Sequence, residues 1–175
     1  MTATAVLRPF APADIPAIRA IYADAVIHGT ASWELEPPDE AEMARRAETI
    51  LGGGYPYLVA EVAGRLAGYA YASAYRPRAA YRYTIENSIY VDPSIQRAGV
   101  GRALLSGLIA AAGDRGFRQM IAVIGDSDNA ASIGLHRAMG FAMIGVARSV
   151  GFKHGRWLDQ VLMQRAIGEG DASAP

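Results

Sequence analysis

Two groups of residues in this sequence have types and spacings suited to chemistry. The first is Glu86, a carboxylate in the middle of the stretch from Tyr83 to Val91, whose neighbours are otherwise apolar or neutral. Taken out of water there, its pKa would rise toward the range of a working general base, although an isolated glutamate of this kind is more often a solvated strand residue. The second is the run Gln96, Arg97, Ala98, Gly99, Val100, Gly101, Arg102. Glycines ahead of an apolar helix leave bare backbone N–H groups at its positive end, and Arg97 and Arg102 add cationic side chains, so the run is built to hold an anion such as a diphosphate.

The anion loop does not follow the common nucleotide grammars. A dinucleotide fingerprint needs a third glycine after Gly101, and a P-loop needs Lys followed by Ser or Thr, whereas Arg102 and Ala103 follow here.

The elements that must position these groups are legible in order. Val6 to Pro9 reads as a strand. A helix follows from Asp14 and Pro16, with Ile15, Ile18, Ile21, Tyr22 and Ala25 as its apolar stripe. Residues His28 to Pro38 form a loop, and a second helix spans about Asp39 to Leu51 before Gly52, Gly53 and Gly54 stop it. Strands at Tyr57 to Val62 and Leu66 to Tyr75 flank the hairpin signal Ala63, Gly64, Arg65. In the strand Tyr83 to Val91, period-two alternation places Thr84, Glu86, Ser88 and Tyr90 on one face and Ile85, Asn87, Ile89 and Val91 on the other. Asp92 and Pro93 end it. Leu104, Leu105, Leu108, Ile109 and Ala112 mark the central helix. A strand at Gln119 to Ile124, a helix from about Asn129 to Met139, and strands near Met143 to Val150 and Trp157 to Arg165 complete the chain. Strands, then a βαβα unit, then a closing hairpin indicate an α/β or α+β sheet between helices. Residues 1–167 form one domain and 168–175, small and polar, a mobile tail.

Composition narrows the function classes. Across 175 residues, 51% are hydrophobic, and 17 basic residues balance 17 acidic ones, so nothing favours a nucleic-acid partner. No cysteine is present, which excludes disulfides and thiolate chemistry, and the three histidines His28, His136 and His154 lack metal-ligand spacing. The chain has neither a signal-peptide pattern nor an apolar run near the ~20 residues of a membrane helix, so a soluble cytoplasmic protein with no metal is expected.

Gln96-x-x-Gly99-x-Gly101, preceded by Ser88-Ile89-Tyr90-Val91, resembles the acetyl-CoA loop of the GCN5-related N-acetyltransferase (GNAT) superfamily, and Asn129-Ala130-Ala131-Ser132 through Met139-Gly140-Phe141 is similar to its second signature. Tyr83 to Val91 and Gly151-Phe152-Lys153-His154-Gly155-Arg156-Trp157 further resemble the phosphinothricin and methionine sulfone or sulfoximine N-acetyltransferases. The resemblance implies a mixed, mostly antiparallel sheet with helices on both faces, splayed at the strand before the loop so that the pantetheine arm of acetyl-CoA lies in the gap. It implies Glu86 as catalytic base, and its place before the loop outweighs the solvated reading. Backbone at Ile89, Tyr90 and Val91 would hold the pantetheine, the loop from Arg97 through Ala98, Gly99, Val100 and Gly101 to Arg102 the pyrophosphate, and Asn129 would touch the cofactor. Arg76, Pro77, Arg78, Glu86, Asn87 and Ser88 would bind a small amino-acid substrate, and the protein would be a homodimer. Where many superfamily members carry a tyrosine as acid for the departing thiolate, this chain has His136, which either takes that role or is a packed, hydrogen-bonded histidine. Helical spacing puts Asn129, Ile133, His136 and Gly140 on one face.

An alkyl ammonium must lose a proton before it can attack a thioester, so a base beside the acyl group is the chemical requirement. Arginine forks at Arg76 and Arg78 suit carboxylate, phosphinate or sulfone oxygens. Other acceptors (another amino acid, a polyamine, a peptide N-terminus) and a non-catalytic acyl-CoA-binding module stay open on these residues. Trp33 and Phe152 could wall a pocket, and Lys153 and His154 occupy a hairpin tip facing either substrate or a second subunit.

Overall fold

A computed structural model describes residues 4–95 and 99–175. The expected site residues Arg97 and Ala98, with Gln96, fall outside the described residues. Seven strands form one sheet: β1 (Val6–Pro9), β2 (Tyr57–Val62), β3 (Arg65–Ala74), β4 (Thr84–Val91), β5 (Gln119–Gly125), β6 (Ala142–Lys153) and β7 (Arg156–Ala166). Their spatial order is β1-β2-β3-β4-β5-β7-β6, antiparallel throughout except for the parallel pair β4–β5. The helices are α1 (Ile15–His28), α2 (Glu40–Gly52), α3 (Val100–Gly113) and α4 (Ala130–Ala138). The mixed, mostly antiparallel sheet between helical layers matches the architecture expected from the sequence.

Two cores cover opposite faces. On one, α1 and α2 pack Ile18, Val26, Met43 and Ala47 against Val59 and Tyr69, with Tyr71 and Tyr90 alongside. On the other, Leu104, Leu105 and Leu108 of α3, all fully buried, lie on Ala70, Ala72, Ile85, Met120 and Met163. Apolar burial of this kind stabilises by roughly 25 cal/mol per Å² removed from water, enough to hold the sheet rigid around its centre.

The sheet divides in the middle. β4 and β5 pair from Thr84–Gln119 to Asn87–Ala122 and no further. Beyond that rung β4 stays bonded to β3 as far as Val91–Gly68, and β5 stays bonded to β7 as far as Gly125–Gln160. Each strand keeps its outer partner and loses its inner one, which is the splay the resemblance implied.

The remaining differences from the sequence reading are local. Helix α4 ends at Ala138 and Gly140 adopts φ +82°, so the face drawn through Asn129, Ile133 and His136 does not continue to Gly140. The strand β6 is longer than expected because register shifts between Met143 and Gly145 and between Ala147 and Gly151 let it bend past the hairpin partner. In residues 168–175 the Gly170 and Ala174 carbonyls accept from Arg118, and Glu169 pairs with it at 3.2 Å.

Candidate active site

The gap between β4 and β5 is a cleft of about 330 Å³. Its walls are Asn87, Ser88, Ile89, Tyr90 and Val91 on one side and residues 122–125 on the other, and α4 contributes Asn129, Ser132 and His136. It opens onto a second hollow of about 510 Å³ in front of α3, lined by Gly99, Val100, Gly101 and Arg102. The two hollows share Val91, Gly101, Ala131 and Leu135. One continuous groove thus runs from a helix N-terminus to the point where the sheet divides.

Glycine makes the outer end. Gly99 is the residue ahead of α3 and holds φ +71°, a left-handed conformation that costs a residue with a Cβ about 1–2 kcal/mol. Its carbonyl accepts from Ala103, which starts the helical ladder and leaves the N–H groups of the first turn pointing outward into the hollow. The residues present fit an elongated anionic ligand with an extended arm: bare amides and Arg102 at the mouth, and the unpaired edges of two strands inside.

Tyr90 explains why the β4 backbone stays at the gap. Its ring stacks on Tyr69 at 5.2 Å and meets the edge of Tyr22 at 5.0 Å, which anchors the strand end to α1 while the main chain faces β5.

At the inner end, Glu86 stands opposite Ser73 of β3 and Ile121 of β5 on the α1–α2 side of the sheet. It is half-buried, and burial lifts its carboxyl above the ordinary range, as a base needs. Asn87 and His136 approach from the α3–α4 side. His136 Nε2 lies 3.1 Å from Asn87 Oδ1, and its Nδ1 is 2.8 Å from the Ser132 carbonyl. Asn129 caps α4 by accepting the Ser132 N–H at 3.2 Å, and lines the cleft.

The cleft therefore brings together Asn87, Ser88, Ile89, Tyr90, Val91, Gly101, Asn129 and His136, with Gly99, Val100 and Arg102 at its mouth. Glu86, on the opposite face of β4 from Asn87, is not part of its lining, and neither are the three loop residues Arg76, Pro77 and Arg78. They are exposed on the loop after β3, with the Arg76 guanidinium 5.0 Å above the Tyr75 ring, and they follow the strand whose Ser73 faces Glu86.

A further wall comes from the loop that carries Trp33, although Trp33 and Phe152, expected as walls, do not themselves line the cleft. Residues 29–34 dock on the ends of β5 and β6, and Ala31 reaches the cleft. A Cβ at Gly125 would overlap the Thr30 carbonyl and one at Gly151 would overlap the Trp33 ring. Lys153, only 4% exposed, donates to the Ser32 carbonyl at 2.8 Å, and His154 Nε2 lies 3.1 Å from the Gly29 carbonyl. Lys153 is thus a strut, and its burial pulls the ammonium pKa down. Ser32 also meets the Tyr22 hydroxyl at 2.9 Å, which donates to Glu34 at 2.8 Å, and Glu34 pairs with Arg46. The isolated glycines at 125 and 151 were the available signal, since a glycine inside a strand often marks close backbone approach.

Comparison with known proteins agrees with this geometry. The acetyltransferase (GNAT) domain family matches residues 7–162. The chain is 56% identical over 162 residues to a phosphinothricin N-acetyltransferase of Alcaligenes faecalis, covering 93% of this chain and 82% of that one. It is 44% identical over 162 residues to an L-methionine sulfoximine/L-methionine sulfone acetyltransferase of Pseudomonas aeruginosa, covering 92% and 94%. Among solved structures it resembles a GNAT superfamily phosphinothricin acetyltransferase from Sinorhizobium meliloti in complex with acetyl-CoA, with TM-score 0.95, 52% identity and coverage of 100% and 94%. An acetyltransferase from Salmonella typhimurium with its cofactor acetyl-CoA matches with TM-score 0.92, 41% identity and 98% coverage of each chain. A divided sheet, a glycine-led helix and these matches have one meaning: the chain belongs to the GNAT family and is an acetyl-CoA-dependent N-acetyltransferase.

Proposed function

We propose that this enzyme acetylates the amino group of a small amino acid whose side chain carries an oxidised sulfur or phosphorus, such as phosphinothricin, methionine sulfone or methionine sulfoximine. The reaction is direct attack of the amine on acetyl-CoA with both substrates bound. The observation that carries this reading is Glu86: a desolvated carboxylate at the rungs where β4 and β5 part.

Each residue has a task. Glu86 takes a proton from the ammonium group, which restores the lone pair that attacks the acyl carbon. Backbone groups of Ile89, Tyr90 and Val91, left without a β5 partner, hold the pantetheine arm as an added strand would. The first turn of α3, from Gly99 to Arg102, with Arg97 and Ala98 ahead of it, holds the pyrophosphate. Asn129 touches the cofactor from the α4 cap, and His136 faces the thioester sulfur as proton donor.

Arg76, Pro77 and Arg78, with Ser88 and Asn87 on β4, bind the amino-acid acceptor. Two relatives at 56% and 44% identity are named for phosphinothricin and for methionine sulfoximine and sulfone, which supports that acceptor class.

The protein works in the cytoplasm as a homodimer. Exposed Ile144, Val150, Phe152 and Trp157, at 52%, 54%, 57% and 62%, form an apolar edge on β6 and β7 suited to a second copy.

The test is thiol release from acetyl-CoA with a panel of amines. Methionine sulfone or phosphinothricin should turn over fastest, and Arg76→Ala should raise KM for them with little change in kcat. Preference for a polyamine or a peptide N-terminus would overturn the acceptor class.

A further inference from the structure

Three polar contacts run in series across the inner end of the cleft. Asn87 Nδ2 donates to the Ile121 carbonyl at 3.2 Å, Asn87 Oδ1 faces His136 Nε2 at 3.1 Å, and His136 Nδ1 faces the Ser132 carbonyl at 2.8 Å. Both ends of the series are backbone carbonyls, which only accept. Asn87 and His136 are 6% and 4% exposed, so water compensates a mismatched contact between them poorly.

Counting protons along this series has one solution. A neutral imidazole owns one N–H. Placed on Nδ1, it satisfies Ser132 and leaves the Nε2 lone pair against the Asn87 oxygen. Placed on Nε2, it satisfies Asn87 and leaves the Nδ1 lone pair against the Ser132 carbonyl; the Ser132 hydroxyl at 3.4 Å does not remove that conflict. Turning the Asn87 amide over moves the mismatch to the Ile121 carbonyl. Only an imidazolium, with both nitrogens protonated and Asn87 oriented as observed, makes all three contacts hydrogen bonds.

We propose that Asn87 is a positioning residue for His136, its amide oxygen holding a proton on Nε2 so that the ring stands as an imidazolium at the inner end of the cleft. Asn87 does this from a fixed place, because its amide is tied to β5 at the last rung before the strands separate. The groups facing the ring are Ser132 from α4, Asn87 from β4 and the Phe141 ring edge-on at 5.0 Å, and none is ionised. Glu86 leaves the other face of the sheet. Burial opposes the charge and outweighs the Ser132 carbonyl, which favours it, so these two alone set the ring's pKa below its ordinary value; the Asn87 oxygen supplies the reversal. The acetyl-transfer reading, on which this use rests, gives the proton a destination. As the C–S bond breaks with its electron pair on sulfur, Nε2 gives its proton to the thiolate and the ring becomes neutral until solvent returns one.

The experiment is an NMR titration of the ¹⁵N-labelled imidazoles of the full chain from about pH 5 to about pH 9. Asn87→Leu and Asn87→Asp are compared with the native chain. Native His136 should keep both ring protons above the ordinary midpoint of ~6.5. Asn87→Leu should lower that midpoint by at least about one unit, a tenfold loss of proton affinity, and Asn87→Asp should raise it. Acetyl-CoA binding by calorimetry checks that each variant is folded. A single neutral tautomer in the native chain at about pH 6 overturns the proposal, as does a midpoint unmoved in Asn87→Leu. The native titration decides by itself should the leucine variant fail to fold. No amine is present, so a wrong acceptor class leaves the result untouched.

Discussion

Glu86 and Asn87 are consecutive residues whose side chains leave opposite faces of the sheet at the last two rungs joining β4 to β5. The carboxylate emerges toward α1 and α2, and the amide toward α3 and α4. The parted strands are therefore flanked by a carboxylate on one face of the sheet and by Asn87 with His136 on the other, the pair to which the proposed function gives the roles of base and proton donor. Period-two geometry alone provides this division of labour.

Replacing Glu86 by Gln keeps the shape and removes the carboxylate to which the proposed function gives the role of base. Turnover should fall about 10²- to 10⁴-fold, and acetyl-CoA affinity measured by calorimetry should hold. In the native enzyme kcat/KM should decline on acidification along a limb lying above the ordinary glutamate value of ~4.3, because burial raises the Glu86 pKa. Unchanged turnover in the variant removes Glu86 from the mechanism.

The same variant should be more stable than the native chain at neutral pH. A carboxyl whose folded pKa is raised lends stability below its unfolded pKa and loses it as pH rises through the folded one. At neutral pH the native chain therefore carries an uncompensated, half-buried charge, and the glutamine does not. Melting curves should separate at pH 7 and converge below about pH 4; a variant less stable at pH 7 contradicts the burial argument.

Gly151→Ala tests the docked wall. Its methyl group would overlap the Trp33 ring, so residues 29–34 must move, at a cost of about 1–3 kcal/mol. The loop carries Ala31 of the cleft and Ser32, the partner of Lys153. Tryptophan fluorescence should shift and KM for the amine should rise, with acetyl-CoA binding changed less because the mouth at α3 is remote from Trp33.

Gly101→Val tests the outer end. A Cβ there comes within 3.3 Å of Leu135 and 3.8 Å of Val91, residues that border both hollows. The branched side chain should weaken acetyl-CoA binding on the order of tenfold or more, about 1.4 kcal/mol, with kcat at saturation affected less. Equal affinity would place the cofactor elsewhere.

Local pattern made most of the fold legible. The alternation from Thr84 to Val91 fixed which residues share a face, including Asn87 with Ile85, Ile89 and Val91, and Gly99 and Gly101 marked a helix entrance open to an anion. The separation of β4 from β5 was not readable from periodicity, because it consists of hydrogen bonds not made between strands whose own sequences are ordinary. It entered through family resemblance. The docking of residues 29–34 was hidden for a related reason: Gly125 and Gly151 show only that something comes close, and the partner lies far away in the chain. Lys153 looked like a hairpin-tip residue because its neighbours His154 and Gly155 turn the chain, yet its ammonium points inward to Ser32. The series through Asn87 and His136 depends on two carbonyls, Ile121 and Ser132, whose positions no side-chain pattern reports.

Among the described residues the halves of the sheet are stitched to each other along Thr84–Asn87 alone, while each is paired over longer runs within itself. Acetyl-CoA lying in the opening would act as the missing thread, so its binding adds to the stability of the fold. At a free ligand concentration a hundred times Kd the folded state gains about 2.7 kcal/mol. A cell whose acetyl-CoA supply falls would thus leave this enzyme idle and also easier to unfold.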